Sequence, residues 1–259
     1  MIKLNEEIKE KIDSSPKIEG DFNLNLEEMA EAGLHFGHWT SKTNPKMKPY
    51  IFGVRNTIHL IDLEKTAEKF KDALKFIEDL IYQNKILLFI GTKIQIKELM
   101  KNIAKDCGFP YVSERWLGGT FTNFETLQKR IEYFKELERK KAAGDLEKYT
   151  KKERADFDKE IRDLEIKFGG IKEMTKLPDA IFICDMKKDE TALREAKRKG
   201  VKVIGIAHTN IDPTLADYPI PANDDSISSV KYILEKVKEV ILNAKLKTQS
   251  AKPQPKTES

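Results

Sequence analysis

The sequence predicts an α/β fold: a parallel sheet with helices on both faces, carrying an antiparallel helical hairpin. Three observations lead there. Short apolar runs rich in branched residues alternate with segments apolar at helical spacing, the order expected of strand–helix–strand units. One of these runs, ILLFI at Ile86 to Ile90, is apolar without a break, as a central strand covered on both faces must be. From Thr122 to Phe168 the pattern changes to two apolar stripes in a charged background. Phe124, Leu127, Ile131, Phe134 and Leu137 form the first, and Phe157, Ile161, Leu164 and Phe168 the second. Two helices packed as a coiled-coil hairpin fit both stripes.

In chain order, residues 1–24 form an N-terminal extension. Ile2, Leu4, Ile8 and Ile12 suit a short helix that Ser14-Ser15-Pro16 would end. Leu26 to Ala32 reads as a short helix stopped by Gly33. A loop is expected from Gly33 to Asn56, because Pro45 and Pro49 break helix. Thr57 to Leu63 alternates as a strand, and Asp62 can cap the next helix, where Phe70, Leu74, Ile77, Leu80 and Ile81 share a face. After Ile90, Thr92 and Gln95 have capping-box spacing for a helix to about Cys107, and Tyr111 to Ser113 is a short strand. Two further boxes, Thr122 with Glu125 and Thr150 with Glu153, open the hairpin helices, which Gly144 separates. The α/β pattern resumes with strands at Ala180 to Cys184 and Val201 to Ala207 around a helix from Glu190 to Lys199. Pro213, Pro219 and Pro221 then mark a long loop. Asp225 can cap a last helix with Ile227, Val230, Ile233, Leu234, Val237 and Ile241 on one stripe. The expected organisation is therefore an α/β domain of residues 25–121 and 169–244, an inserted hairpin of 122–168, and a disordered, mildly basic tail of 245–259.

A length of 259 residues suits one large or two modest domains. Hydrophobic content of 39 % supports a core, while 35 % charged residues require helices solvated over most of their surface. The net charge of +4 says little about nucleic acid by itself. Cys107 and Cys184 match no ligand spacing and lie in apolar settings, as buried thiols in a reducing cytosol do. No apolar run reaches membrane-spanning length, and the N-terminus lacks a secretory h-region.

Local charge is more informative. Between Glu31 and Asp62 there is no acidic residue, yet the stretch holds Lys42, Lys46, Lys48 and Arg55. Phe36, Trp39, Tyr50 and Phe52 are interleaved with them. Cations neutralise phosphates and aromatic faces stack on unpaired bases, so this window is a candidate RNA contact. The plainer alternative is a connector whose aromatics fill a core. Arg115-Trp116 beside a helix start offers the same pairing, against a buried tryptophan with a surface arginine. Gly118-Gly119 can cradle a phosphate or simply make a tight turn. His35 and His38 are weakly spaced for a metal, with only Asp185 or Asp212 as partners the fold might bring, and no metal site is assigned. Asp185, Asp189 and Glu190 follow a strand at the edge where α/β sheets bind ligands. They lack a partnered nucleophile or base, so no catalytic residue is assigned. No dinucleotide or phosphate-loop glycine motif occurs.

The segment HFGHWTSKTNPKMKPYIFGVRNTIHLIDLEKT resembles the N-terminal signature of bacterial small-subunit ribosomal protein two. The resemblance continues through GTK at Gly91, RWLGGTFTN from Arg115, GGIKEMTKLPDAIFICD from Gly169 and HTNIDPTLADYPIPANDDSISSV from His208. These motifs keep the family's order and spacing over most of the chain, beginning at about Leu26. The resemblance implies a flavodoxin-like sheet with an inserted helical hairpin. It implies a structural, non-catalytic component of the small ribosomal subunit, cytoplasmic and without cofactor. The implied partners are small-subunit ribosomal RNA and neighbouring ribosomal proteins, including the large messenger-binding protein numbered one, with no membrane involved. Lys42, Lys46, Lys48, Arg55, Trp39, Arg115 and Trp116 are then the candidate RNA contacts. The other classes to weigh are a cytosolic α/β nucleotide enzyme and a non-ribosomal protein–protein adaptor.

Overall fold

Eight strands form among the residues described, 22–250, in this computed structural model: β1 (Phe36–Trp39), β2 (Ile51–Arg55), β3 (Ile58–Ile61), β4 (Leu87–Ile90), β5 (Tyr111–Val112), β6 (Ala180–Ile183), β7 (Lys202–Ala207) and β8 (Tyr218–Pro221). The first three make an antiparallel sheet ordered β1-β3-β2; the other five make a sheet ordered β5-β4-β6-β7-β8, with parallel pairing. Counted from β4, the larger sheet has the flavodoxin-like order 2-1-3-4-5. The chain divides into two units: one of residues up to Ile86 with Cys184–Lys187 and the chain from Ile204, the other of Leu87–Ile183 and Lys188–Val203. The helix expected within residues 1–24 lies outside the described residues.

In the first unit, α1 (Leu26–Glu31) is capped by Asn25 and stops before Gly33, whose φ of +78° favours glycine. Helix α2 (Leu63–Tyr82) starts where the Asp62 carboxylate accepts the Glu64 N–H at 3.1 Å. Its expected stripe, Phe70, Leu74, Ile77, Leu80 and Ile81, is buried, and the helix packs on β8 and on the final helix, α7 (Ile227–Ser250). Each such side chain contributes about 1.5–3 kcal/mol by leaving water.

Two expectations fail in this unit. Pro219 and Pro221 do not lie in a loop: they belong to β8, which pairs with β7 in the register Ile206↔Ile220. An edge strand tolerates proline because one side of its backbone needs no ladder donor. The Pro221 carbonyl is not left bare, since it accepts the Thr66 hydroxyl at 2.6 Å. The tail expected from Lys245 is also partly helical. Helix α7 runs on to Ser250, with Lys247 Nζ 3.3 Å from Glu78, because no glycine or proline occurs between Ile227 and Pro253. Residues 251–259 lie outside the description.

In the second unit, every residue of β4 and β6 is fully buried, and the Phe89 and Phe182 rings meet at 5.7 Å. Helix α3 (Lys97–Asp106) follows β4, and α6 (Glu190–Lys199) ends at Gly200 with φ +71°. Between them α4 (Phe124–Ala142) and α5 (Lys151–Phe168) pack on each other. Leu127, Ile131, Phe134, Leu137, Leu164 and Phe168 are buried as expected, while Phe157 and Ile161 are only half-buried.

Of the three capping boxes, only Thr150 with Glu153 forms, the Thr150 N–H donating to Glu153 at 2.9 Å. Thr92 donates its hydroxyl instead to Asp189 at 2.9 Å, and Thr122 turns to Glu195. In both cases the helix begins later than the spacing suggests, after Ile96 and after Asn123, so neither threonine is the capping residue and its hydroxyl donates to a carboxylate distant in sequence.

Candidate nucleic-acid interface

The window expected as a loop is mostly ordered structure. β1 and β2 flank β3, and two 3₁₀ turns, Thr40–Lys42 and Pro45–Tyr50, carry the chain between β1 and β2. The sequence pattern missed this because proline in a 3₁₀ turn breaks nothing: Pro45 sits at the turn's first positions. Asn44 caps that turn by accepting the Lys46 N–H at 3.0 Å, and Met47 anchors it, fully buried. Asn56 and Thr57 both have positive φ, +46° and +65°, as a two-residue hairpin turn between β2 and β3 requires. Gly37 is forced by space, since a Cβ there would lie 2.8 Å from both the His59 carbonyl and Thr209.

The segment from His208 to Thr214 holds the window in place. Thr209 accepts the His38 N–H at 2.9 Å on its hydroxyl and the Asn44 N–H at 2.8 Å on its carbonyl. Lys46 Nζ meets the Asp212 carboxylate at 2.6 Å, and this bond, with that of Thr214, holds the Asp212 carboxyl below its ordinary range. Lys46 is therefore partly neutralised by an acid 166 residues away, which a scan of the window cannot see. Lys42 and Lys48 are exposed and Arg55 is half-buried; none forms an ion pair among the described residues. The aromatics are not core. Trp39 is 63 % exposed and Phe52 59 %, with Phe36 and Val54 also open to solvent. The small sheet thus presents exposed apolar and aromatic side chains, and the turns between its strands carry the exposed Lys42 and Lys48.

The histidines separate. His35 is buried against Phe36, and burial lowers its pKa. His38 stacks face to face on His208 at 3.8 Å, not on a base. His38, His208, Asp224 and Asp225 bring ligand atoms within 4.8 Å of one another, a donor set that suits zinc. One feature opposes it: His208 Nδ1 accepts the Thr209 N–H at 2.7 Å, which places the proton on Nε2, facing Asp225 at 3.8 Å. The expected partners, Asp185 and Asp212, are not members of this group: Asp212 pairs with Lys46 and Asp185 accepts the Lys187 N–H. The motifs HTN and NDD were visible in the sequence, but nothing there paired them with His38.

Arg115 and Trp116 lie in the other unit. Arg115 is exposed. Trp116 is 6 % exposed and packs edge-on against Phe121 at 4.9 Å, so its ring offers no face to a base. The indole is thus buried against Phe121 of the following turn. The Gly118-Gly119 turn does form an anion cradle, but the anion is the chain's own. The buried Glu195 carboxylate accepts the N–H groups of Gly119 at 2.7 Å, Phe121 at 2.9 Å and Thr122 at 3.3 Å. Burial pushes the Glu195 pKa up, but these backbone donors outweigh it and the net shift is downward. A phosphate has no room there.

Comparison with known proteins gives the family. The family model described as Ribosomal protein S2 matches residues 29–244. A protein of Geotalea uraniireducens named small ribosomal subunit protein uS2 is 45 % identical over 232 residues, 87 % of this chain and 91 % of the relative. A protein of the same name from Coprothermobacter proteolyticus is 44 % identical over 222 residues, 86 % of this chain and 83 % of that one. An S2-type sequence, a 2-1-3-4-5 sheet and an open basic–aromatic surface coincide in one molecule: the chain belongs to the Ribosomal protein S2 family.

Proposed function

We propose that this chain is a structural, non-enzymatic component of the small ribosomal subunit, and that it binds small-subunit ribosomal RNA through the window of its first unit. Family membership supports the first part, with relatives named as small-subunit proteins over most of the chain. The observation that carries the second is the free cationic edge. Lys42, Lys48 and Arg55 share the window with exposed Trp39, and no acid pairs with them among the described residues. Phosphates can bind the cations while the indole stacks on a base. Lys46 contributes less, because Asp212 already holds it. Arg115 is a separate candidate contact, and Trp116 acts only through the turn it supports. No described helix is long and apolar enough to cross a membrane.

The apolar side of the same small sheet supports a protein neighbour as well. Phe36, Phe52 and Val54 are a poor match for phosphate and suit a partner's apolar side chains. The large messenger-binding protein numbered one is the proposed occupant. The α4–α5 pair is proposed as an inserted coiled-coil hairpin of residues 122–168, set into an α/β domain of 25–121 and 169–244. Its seam residues and the Lys141–Asp158 ion pair across it support that reading.

The test is binding of the full chain to protein-free small-subunit ribosomal RNA across a salt series. Replacing Lys42 and Lys48 with Ala should flatten the logarithmic salt slope by roughly 1 to 2 units, at ~0.7–0.9 per phosphate. Unchanged affinity and slope would show that the window is only a connector.

A further inference from the structure

We propose that the turn joining α4 to α5 is a second RNA-phosphate site, independent of the window. The proposal rests on the ribosomal reading above but on different residues. Residues 139–154 hold seven Lys or Arg against three Asp or Glu, a net +4, equal to the net charge of the whole chain. The rest of the pair is the opposite. Residues 124–138 hold three basic against four acidic side chains, and 155–168 hold three against five, a net −3 together. A helix pair that needed charge only for solubility would mix its signs along its length. Here the stem is acidic and the tip basic.

The tip is also built. Gly144 turns the chain at φ +78°, a 3₁₀ turn follows at Asp145–Lys148, and buried Leu146 pins it. The Thr150–Glu153 box closes the start of α5, and Tyr149 packs edge-on against Phe157 at 5.2 Å. Two of the seven cations are held by acids: Lys140 by Glu136 and Lys141 by Asp158, both at 2.7 Å. Arg139, Lys148, Lys151, Lys152 and Arg154 are exposed and form no ion pair among the described residues. Lys151 and Lys152 occupy the first turn of α5, the end at which a helix dipole disfavours cations. Five like charges on an ordered turn repel one another, and two of them also oppose the dipole. A polyanion relieves both costs, and a turn already ordered loses little entropy on binding it.

Tyr149 favours RNA over an acidic protein face. It is 38 % exposed, with Lys148 Nζ 5.7 Å from its centroid, so a base can stack beside a paired phosphate. The acidic stem would repel the backbone elsewhere, which confines the contact to a few phosphates at the tip.

The experiment uses the full chain and protein-free small-subunit ribosomal RNA over the same salt series. The variants are Lys148→Ala/Lys151→Ala/Lys152→Ala and, separately, Lys42→Ala/Lys48→Ala. The tip variant should lower the salt slope by ~2–3 units and weaken binding at least tenfold at low salt. Its thermal melting should match or slightly exceed the parent's, since the three positions are exposed and the substitutions relieve like-charge repulsion; a Lys→Gln triple variant serves if the Ala form melts early. A tip variant with the parent's slope and affinity overturns the proposal. So does one that binds free RNA normally but fails to enter protein-containing subunits, which would assign the tip to an acidic protein. If the tip variant loses slope while the window variant does not, the tip stands and the window reading falls.

Discussion

Two regions of this chain carry similar signals in sequence and end in opposite states. The turn from Trp116 to Thr122 and the window from Phe36 to Arg55 each combine an aromatic ring with groups that bind anions. In the turn, the anion is internal. Glu195 fills a ring of backbone N–H donors, and Trp116 is buried against Phe121. In the window, one lysine finds an internal acid and the other cations do not, while Trp39 stays in solvent. An anion site closed by the protein's own carboxylate contributes to folding; one left open is available to a partner. The difference is one of supply: a carboxylate reaches the turn from α6, whereas among the described residues Asp212 is the acid that pairs with a lysine of the window and Asp225 approaches only His38.

Tryptophan exchange separates the two regions most strongly. Trp116→Ala should cost ~3–5 kcal/mol of stability through a core cavity. Trp39→Ala should leave melting within about 1 °C and weaken RNA binding by ~1–3 kcal/mol if the ring stacks on a base. Differential scanning calorimetry beside an RNA-binding series reads both. Equal loss of stability in the two variants would break the comparison.

Glu195→Ala is next, expected to cost ~2–4 kcal/mol because three backbone donors lose their acceptor. The pH dependence follows from the downward shift. The folded carboxyl titrates below its unfolded value of 4.5, so its contribution is complete above that pH and is lost as pH falls through the folded pKa. The acid side of the parent's stability curve should therefore fall more steeply than that of Glu195→Gln. Parallel curves would show that the cradle does not depend on charge. His35 adds a milder slope higher up: burial lowers its pKa, so stability should decline as pH drops below 6.5. His35→Phe should remove that component.

The smallest expected effect lies within the window itself. Lys46→Ala should flatten the salt slope less than Lys48→Ala, because Lys46 already sits on Asp212. The same substitution should return the Asp212 carboxyl toward its ordinary pKa, followed by carboxyl-carbon NMR. Identical slopes for the two lysine variants would mean that RNA displaces the ion pair completely.

Much of the fold was legible because it depends on short-range pattern. The stripe of α2, the continuous apolar run of β4 and the stop at Gly200 are set by neighbours within a few residues. Local rules failed where a distant group intervened. Thr92 and Thr122 have capping-box spacing, yet each spends its hydroxyl on a carboxylate more than seventy residues away. β8 was hidden because proline argues against a strand until the strand is known to lie at an edge.

By itself, then, the sequence determined the α/β class, the paired helices, the family and the places where cations and aromatics gather. Periodicity, motif order and charge count need no third dimension. Only the tertiary structure decided which of those gathered groups are free. Partnering depends on contacts between residues distant in the chain: Asp212 on Lys46, Glu195 under the glycine turn, His208 against His38. A charge or a ring becomes a binding group only when the fold leaves it unsatisfied, and that is a property of the space around it.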